Sequence, residues 1–252
     1  MLDSTKALQV EDLPHADLLK LLTDLLHRLI IHYGLWFTEV RHQMGTERAL
    51  ALLDGVFERN LKIQMARLGE TFGFDVVDGL PAALSKLDKP ALLKVIEAVA
   101  KNWLVSDGVW FQAVEFSSNL LEAKRCNDSC WAHFSPFEAW SIKRLLGLGE
   151  APGLQGLAQA LNFRLYARLN TQTAVFEDDR TLVFQMNQCR VQTARRRQGL
   201  ADYPCKSAGL VEYTYFARSI DPRIATECIG CPPDSHPEEW FCAWRFRLVE
   251  TA

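Results

Sequence analysis

Along the first hundred residues apolar side chains recur every three or four positions, a spacing that predicts helix after helix. Leu18, Leu22, Leu25, Leu29 and Tyr33 form one stripe, and the pattern resumes after Gly34 through Trp36, Val40 and Met44. One helix is therefore expected from about Pro14 to Gly45, with Asp12 as its cap. Ala49, Leu53, Val56, Phe57, Leu61, Met65 and Leu68 predict a second helix over residues 46 to 72, ended near Gly73. A third, over residues 90 to 105, opens on Pro90 and carries Leu93, Ile96, Val99 and Leu104.

Beyond Asp107 and Gly108 the pattern changes. VWFQAVEF and LLEAKRC read as two short strands, although the first equally well prolongs the preceding helix. SPFEAWSIKRLLGLG predicts a helix with Ser135 as cap, Pro136 in the first position and Glu138 closing a capping box. Another helix is expected over residues 153 to 169. TLVFQMNQC then alternates as a strand, with Leu182, Phe184 and Met186 on one face. A basic helix from Arg190 to Gln198 and a helix over CKSAGLVEYTYFARSI follow. RIATECIGC and WFCAWRFRL read as two strands joined by PPDSHPEE. The expected fold class is α+β: a helical region over 1–106 packed on a C-terminal part over 107–252, with a soft boundary. Its antiparallel strands are expected at 181 to 189, 223 to 229 and 240 to 248.

Composition narrows the function classes. The 252 residues are 48% hydrophobic and 23% charged, enough to bury a full core. A net charge of −3 supplies no field of one sign, so neither nucleic acid nor an anionic membrane is an expected partner. The longest apolar stretch, Leu18 to Ile31, is interrupted by Lys20, Asp24, His27 and Arg28, which argues against a membrane span. The opening residues carry Asp3, Glu11 and Asp12 where a signal peptide has a basic and then an apolar run, so a cytoplasmic location is expected. A homodimer stays open.

Seven cysteines in such a chain read as thiols or metal ligands rather than disulfides, because the cytosol keeps thiols reduced. Cys189 ends one expected strand, Cys205 begins a helix, and Cys228, Cys231 and Cys242 belong to the terminal hairpin. If those elements meet, Cys189, Cys205, Cys228 and Cys242 supply four soft ligands for one structural zinc. Cys231 is then a substitute or supporting thiol. Cys228 and Cys231 have the C-x-x-C spacing, but zinc ribbons use two such pairs and only one is present. The alternative is that these are small buried core residues.

The tail from Tyr203 to Leu248 resembles the end of the 4-vinyl reductase domain. It has Cys and Gly opening a helix, a strand ending at Glu-Cys, a loop, and Cys before an aromatic final strand. The resemblance implies a structural zinc, held by three cysteines and an upstream acidic residue, beside a ligand pocket. Cys205, Cys228 and Cys242 match the three cysteines, and Cys189 stands near the place of the acidic ligand. A longer Pro-rich loop and the extra Cys231 depart from the pattern. Through HYGLWFTEVRHQMG, GVWFQAVE, CRVQTARRRQGL and ECIGCPPD the chain also resembles a family of bacterial and archaeal cytosolic proteins. That family is distantly similar to the hydrolases that open 2-amino-thiazoline-4-carboxylate.

Two functions follow as expectations. One is a small-molecule-binding protein with Trp110, Phe111, Tyr213, Tyr215 and Phe216 around a pocket beside the zinc, and Arg190 or Arg195 anchoring an anionic group. The other is a hydrolase of a C–N bond in a small amino or carboxylic compound, with proton transfer by His32, Glu39 or His42. Those three share one helical face, and the alternative for them is a polar stripe facing solvent. Arg190, Arg195, Arg196 and Arg197 likewise fit a solvated helix face. Cys126, Cys130 and His133 offer a short ligand or nucleophile triplet, which packing of Trp131 and Phe134 explains more simply. No Gly-rich phosphate loop, G-x-S-x-G elbow or H-E-x-x-H is present.

Overall fold

A computed structural model describes residues 8–197, 199 and 202–250. The chain divides into two compact units between Ser85 and Lys86. The N-terminal unit is built on two long helices, α1 (His15–Met44) and α2 (Thr46–Phe72), followed by β1 (Val76–Val77), β2 (Leu80–Pro81) and α3 (Ala82–Ser85). Gly45, at φ 83°, separates α1 from α2, and Gly73 ends α2 in the left-handed conformation at φ 74°. Asp12 does not cap α1. Its carboxylate accepts from the Gln9 N–H and closes a 3-10 turn over Val10–Asp12, while Pro14 precedes α1. Two antiparallel helices bury only the sides that face each other, so the stripe expected to form a core stays largely exposed. Leu18, Leu22, Leu25 and Leu29 all lie at the surface.

The C-terminal unit begins with α4 (Lys89–Ser117) and α5 (Leu120–Leu146). Asp88 caps α4 by accepting from the Ala91 N–H at 2.8 Å, with Pro90 in its first turn. VWFQAVEF is the last part of α4 and LLEAKRC the first part of α5, so neither is a strand. Asn119 caps α5, accepting from the Glu122 N–H at 3.0 Å, and Ser135 is an interior residue rather than a cap. A proline does not forbid this. Pro136 removes one N–H from α5, and the helix continues through it to Gly147. Because α4 runs unbroken through residue 106, the division falls at the preceding loop instead.

After α5 come α6 (Gly153–Leu161), a 3-10 turn (Leu165–Arg168), β3 (Thr171–Asp178), β4 (Thr181–Gln188), α7 (Arg190–Arg197), α8 (Lys206–Ile220), β5 (Ile224–Gly230) and β6 (Cys242–Leu248). The helix expected over 153 to 169 is thus two shorter pieces, and β3 is a strand that periodicity did not mark. Its described side chains are mostly exposed, so it carries little of the core alternation that identifies a strand. The sheet is antiparallel throughout, in the order β3-β4-β6-β5. The α+β class holds.

The core lies between this sheet and α5, α6 and α8. Leu182, Phe184 and Met186 of β4 face the same side as Cys242, Trp244 and Phe246 of β6, which pair with them as Met186 with Cys242, Phe184 with Trp244 and Leu182 with Phe246. Leu157, Leu161, Tyr213, Phe216 and Ile220 close over them. Among the described residues, no helix is long and apolar enough to cross a membrane.

At the α8–β5 turn, Asp221 is fully buried and accepts from the Gly153 N–H at 2.9 Å, the Arg223 N–H at 3.0 Å and the Arg223 guanidinium at 2.8 Å. The Arg223 hydrogen bond holds its carboxyl down to about 2, from an ordinary 3.8. A depressed folded value stabilises the fold above the ordinary range, and the gain disappears as pH falls from about 4 to about 2. Asp221→Asn is expected to lose about 2 kcal/mol at neutral pH, read from urea midpoints, with the difference from the parent vanishing near pH 2.

Candidate ligand pocket and cysteine cluster

The C-terminal unit holds a partly open cavity of about 490 Å³. Its wall combines α4, the α5 face carrying Asn127 and Trp131, Tyr166, the end of β4, α7, the first two turns of α8, and β6. From α4 it takes Leu104, Asp107, Gly108, Phe111, Gln112 and Glu115, which recur at helical spacing. The sequence does not show that stripe, because the period predicts a helix end near 105 and leaves VWFQAVEF open between strand and continued helix.

Cys189, Cys205, Cys231 and Cys242 all line the cavity. Cys242 is placed by β6, directly opposite Met186. Cys189 sits where β4 turns into α7, with the Val191 and Gln192 N–H groups directed to its sulfur. Burial nevertheless outweighs those hydrogen bonds and pushes its thiol up to about 12. Cys205 precedes the first turn of α8. A bulge in β5 between Cys228 and Gly230 turns the chain so that Cys231 enters the core, 1% exposed, in side-chain hydrogen-bond contact with Cys205 and Cys242. The Lys206 N–H donates to the Pro232 carbonyl at 2.9 Å, which ties the loop bearing Cys231 to the start of α8.

Cys228 lies on β5 opposite Trp244, packed against the same core but outside the cavity wall; burial raises its thiol and nearby Lys206 lowers it. Among the described residues, no group of three or more His, Cys, Asp or Glu side chains is placed to hold a metal ion.

Gln192 escaped the sequence reading. It is 1% exposed, its amide donates to the Tyr203 carbonyl at 2.8 Å and to the Cys205 sulfur at 3.1 Å, and it accepts from the Tyr203 N–H at 2.8 Å. One side chain thereby fixes the approach to α8 against α7. An isolated Gln in a basic segment carries no periodic or motif signal, so only the folded chain reveals it.

Behind the cavity lies a buried ion cluster. Arg164, 2% exposed, donates to Glu138 at 2.8 Å and pairs with Glu212 at 2.6 Å, while Glu138 also accepts from the Leu165 N–H at 3.0 Å. Burial depresses the Arg164 guanidinium, but the two carboxylates together hold it above its ordinary value. For Glu212, burial outweighs Arg164 and raises the carboxyl. Glu212 lines the cavity, whereas Arg164 stands over the rings of Phe216 and Tyr213 at 4.7 and 5.4 Å.

The expected ligand-binding residues divide. Phe111, Tyr213, Arg190 and Arg195 are in the wall. Trp110, 69% exposed, lies on the other side of α4, and Tyr215, 48% exposed, lies on the outer side of α8. Phe216 is fully buried in the core. A helix turns by about 100° per residue, so neighbours in sequence such as Trp110 and Phe111 on α4, or Tyr213 and Tyr215 on α8, face apart. His32, Glu39 and His42 all belong to α1 and are exposed. His32 borders an apolar groove between α1 and α2 with Trp36 and Arg59, and Glu39 accepts from the Gln43 amide at 2.6 Å. Cys126 and Cys130 are exposed on α5.

Residues 84–248, about two thirds of the chain, match the model of a family of unknown function (DUF6125). The chain belongs to this family. The DUF6125 match spans every element that builds the cavity and all seven cysteines. No curated protein and no solved structure matches the chain, so neither the 4-vinyl reductase domain nor the thiazoline hydrolases are among what the comparisons return.

Proposed function

We propose that this is a cytosolic protein that binds a small organic molecule in the cavity of its C-terminal unit, beside a structural zinc. The observation that carries the reading is the wall itself. Four cysteines, aromatic rings and the two arginines Arg190 and Arg195 border one partly open cavity of a size that suits a metabolite. In this reading the rings take the apolar body of the ligand, and the guanidinium groups anchor an anionic substituent.

The donor chemistry supports the zinc, since thiolates are its preferred structural ligands. The placement of the atoms does not yet form a metal set, so binding would turn the thiols inward from their present pairwise contacts. Cys189, Cys205 and Cys242 would be three of the ligands, and the contacts of Cys231 favour it over Cys228 as the fourth. Bound zinc would supply cross-links among β4, α8, the β5 loop and β6, and so contribute to folding. Nothing in the wall supplies the His–Glu–His acid–base set of the hydrolase reading, for the cavity is lined by C-terminal residues alone.

Elemental analysis of protein purified without chelators is expected to return about one zinc per chain, and a chelator is expected to lower the melting temperature. A metal-free preparation of unchanged stability overturns the zinc. For the ligand, a thermal-shift screen against a metabolite library is expected to return stabilisers whose effect is lost in Arg195→Ala. A library that stabilises nothing overturns the ligand-binding reading.

A further inference from the structure

Two carboxyl groups, Asp107 from α4 and Glu212 from α8, line the cavity on the side away from Arg190 and Arg195, with Arg164 behind Glu212 shared with Glu138. Arg164 already serves both glutamates. Asp107 lines the cavity from α4 with burial raising its carboxyl, and it acts electrostatically on Glu212 across the space. Removing carboxylates from water without a full complement of positive charge is costly, and a cationic guest offsets that cost.

The walls suit such a guest. Trp131, Tyr166 and Tyr213 border the cavity, and the same three rings already receive the Arg164 guanidinium at 5.7, 6.0 and 5.4 Å. Faces of this kind attract a second cation by the same quadrupole. The Trp244 indole independently points to a ligand: it is 0% exposed, its ring belongs to the wall, and its N–H has no acceptor among the described residues. A buried donor left without a partner is unusual in a folded protein, and the acceptor it lacks has to come from a part of the guest other than its ammonium group, which has no lone pair.

We propose that the ligand of this cavity carries an organic ammonium group, seated between the carboxylates of Asp107 and Glu212 against the aromatic wall. The proposal rests on the ligand-binding reading above and adds the charge of the guest. Arg190 and Arg195 approach from α7, with Arg195 over the Tyr203 ring at 6.0 Å, which leaves the Asp107 and Glu212 side for the cation.

The test compares two molecules of nearly the same shape, 2-phenylethylamine and 2-phenylethanol, by calorimetric titration into the full chain at pH 7. The amine is expected to bind roughly ten-fold tighter or better, and Asp107→Asn is expected to remove that preference while leaving the melting temperature close to the parent's. Asp107 is the position of choice because Glu212→Gln disturbs the Arg164 cluster and the fold with it. Equal affinity for amine and alcohol, or an amine preference that survives Asp107→Asn, overturns the proposal and leaves the ligand-binding reading standing. If neither probe binds and the metabolite screen returns only neutral or anionic stabilisers, the proposal alone falls. If the screen returns nothing, both fall.

Discussion

Arg164→Met is expected to lose about 3–5 kcal/mol of stability, because it leaves Glu138 and Glu212 buried with no counter-charge. The loss is read as a lower urea midpoint at an unchanged slope. Its pH dependence identifies the cause. Burial already raises the Glu212 carboxyl against the pull of Arg164, and without the guanidinium that opposing pull is gone. The penalty from Glu212 is then absent where its folded and unfolded forms are both protonated and grows as pH rises above about 4.3, so the variant is nearest its parent in mild acid. The triple change Arg164→Met, Glu138→Gln and Glu212→Gln is expected to recover most of the loss, since no unpaired charge remains buried. A single variant equally destabilised at every pH would show that packing against Phe216, not charge, sets the cost.

Trp244→Ala is expected to cost about 3–5 kcal/mol, the range for removing a buried aromatic side chain from a packed site. Trp244 is fully buried, stacks on Tyr213 at a centroid distance of 4.8 Å, and packs its indole close to α8 at Gly209. A Cβ at Gly209 would stand 2.5 Å from the indole Cζ2, so Gly209→Ala is expected to destabilise by about 1–3 kcal/mol from the other side of the same contact. The two costs should not add. Gly209→Ala placed on Trp244→Ala relieves the clash, and a double-mutant cycle measured from urea midpoints is expected to show that coupling. Additive losses would mean that the helix, rather than the ring, gives way.

Several parts of the fold were legible residue by residue. The long apolar periods before residue 73 set α1 and α2 within a residue or two of their observed ends, and Gly45 and Gly73 stop them because each takes a positive φ. Alternation in TLVFQMNQC and WFCAWRFRL set β4 and β6, whose apolar faces meet in the core. The sequence reading expects Cys189, Cys205, Cys228 and Cys242 to meet if their elements do; Cys189, Cys205 and Cys242 line the cavity, while Cys228 lies outside its wall and Cys231 stands in it.

Other features depend on distance in space. Ser135, Pro136 and Glu138 have the spacing of a helix start, yet α5 passes straight through them and Glu138 serves Arg164 instead, because tertiary packing overrides a local cap preference. Cys231 enters the core through a bulge, a backbone irregularity that side-chain period 2 cannot encode. Asp107, Glu212 and Gln192 are single polar residues with no motif around them. The sequence by itself therefore determined α1, α2, β4 and β6, whose periods follow from interactions within a few residues, but not β3, the continuation of α4 or the early start of α5. Only the tertiary structure decided which polar groups share the cavity, since their burial and pairing come from neighbours far away in the chain.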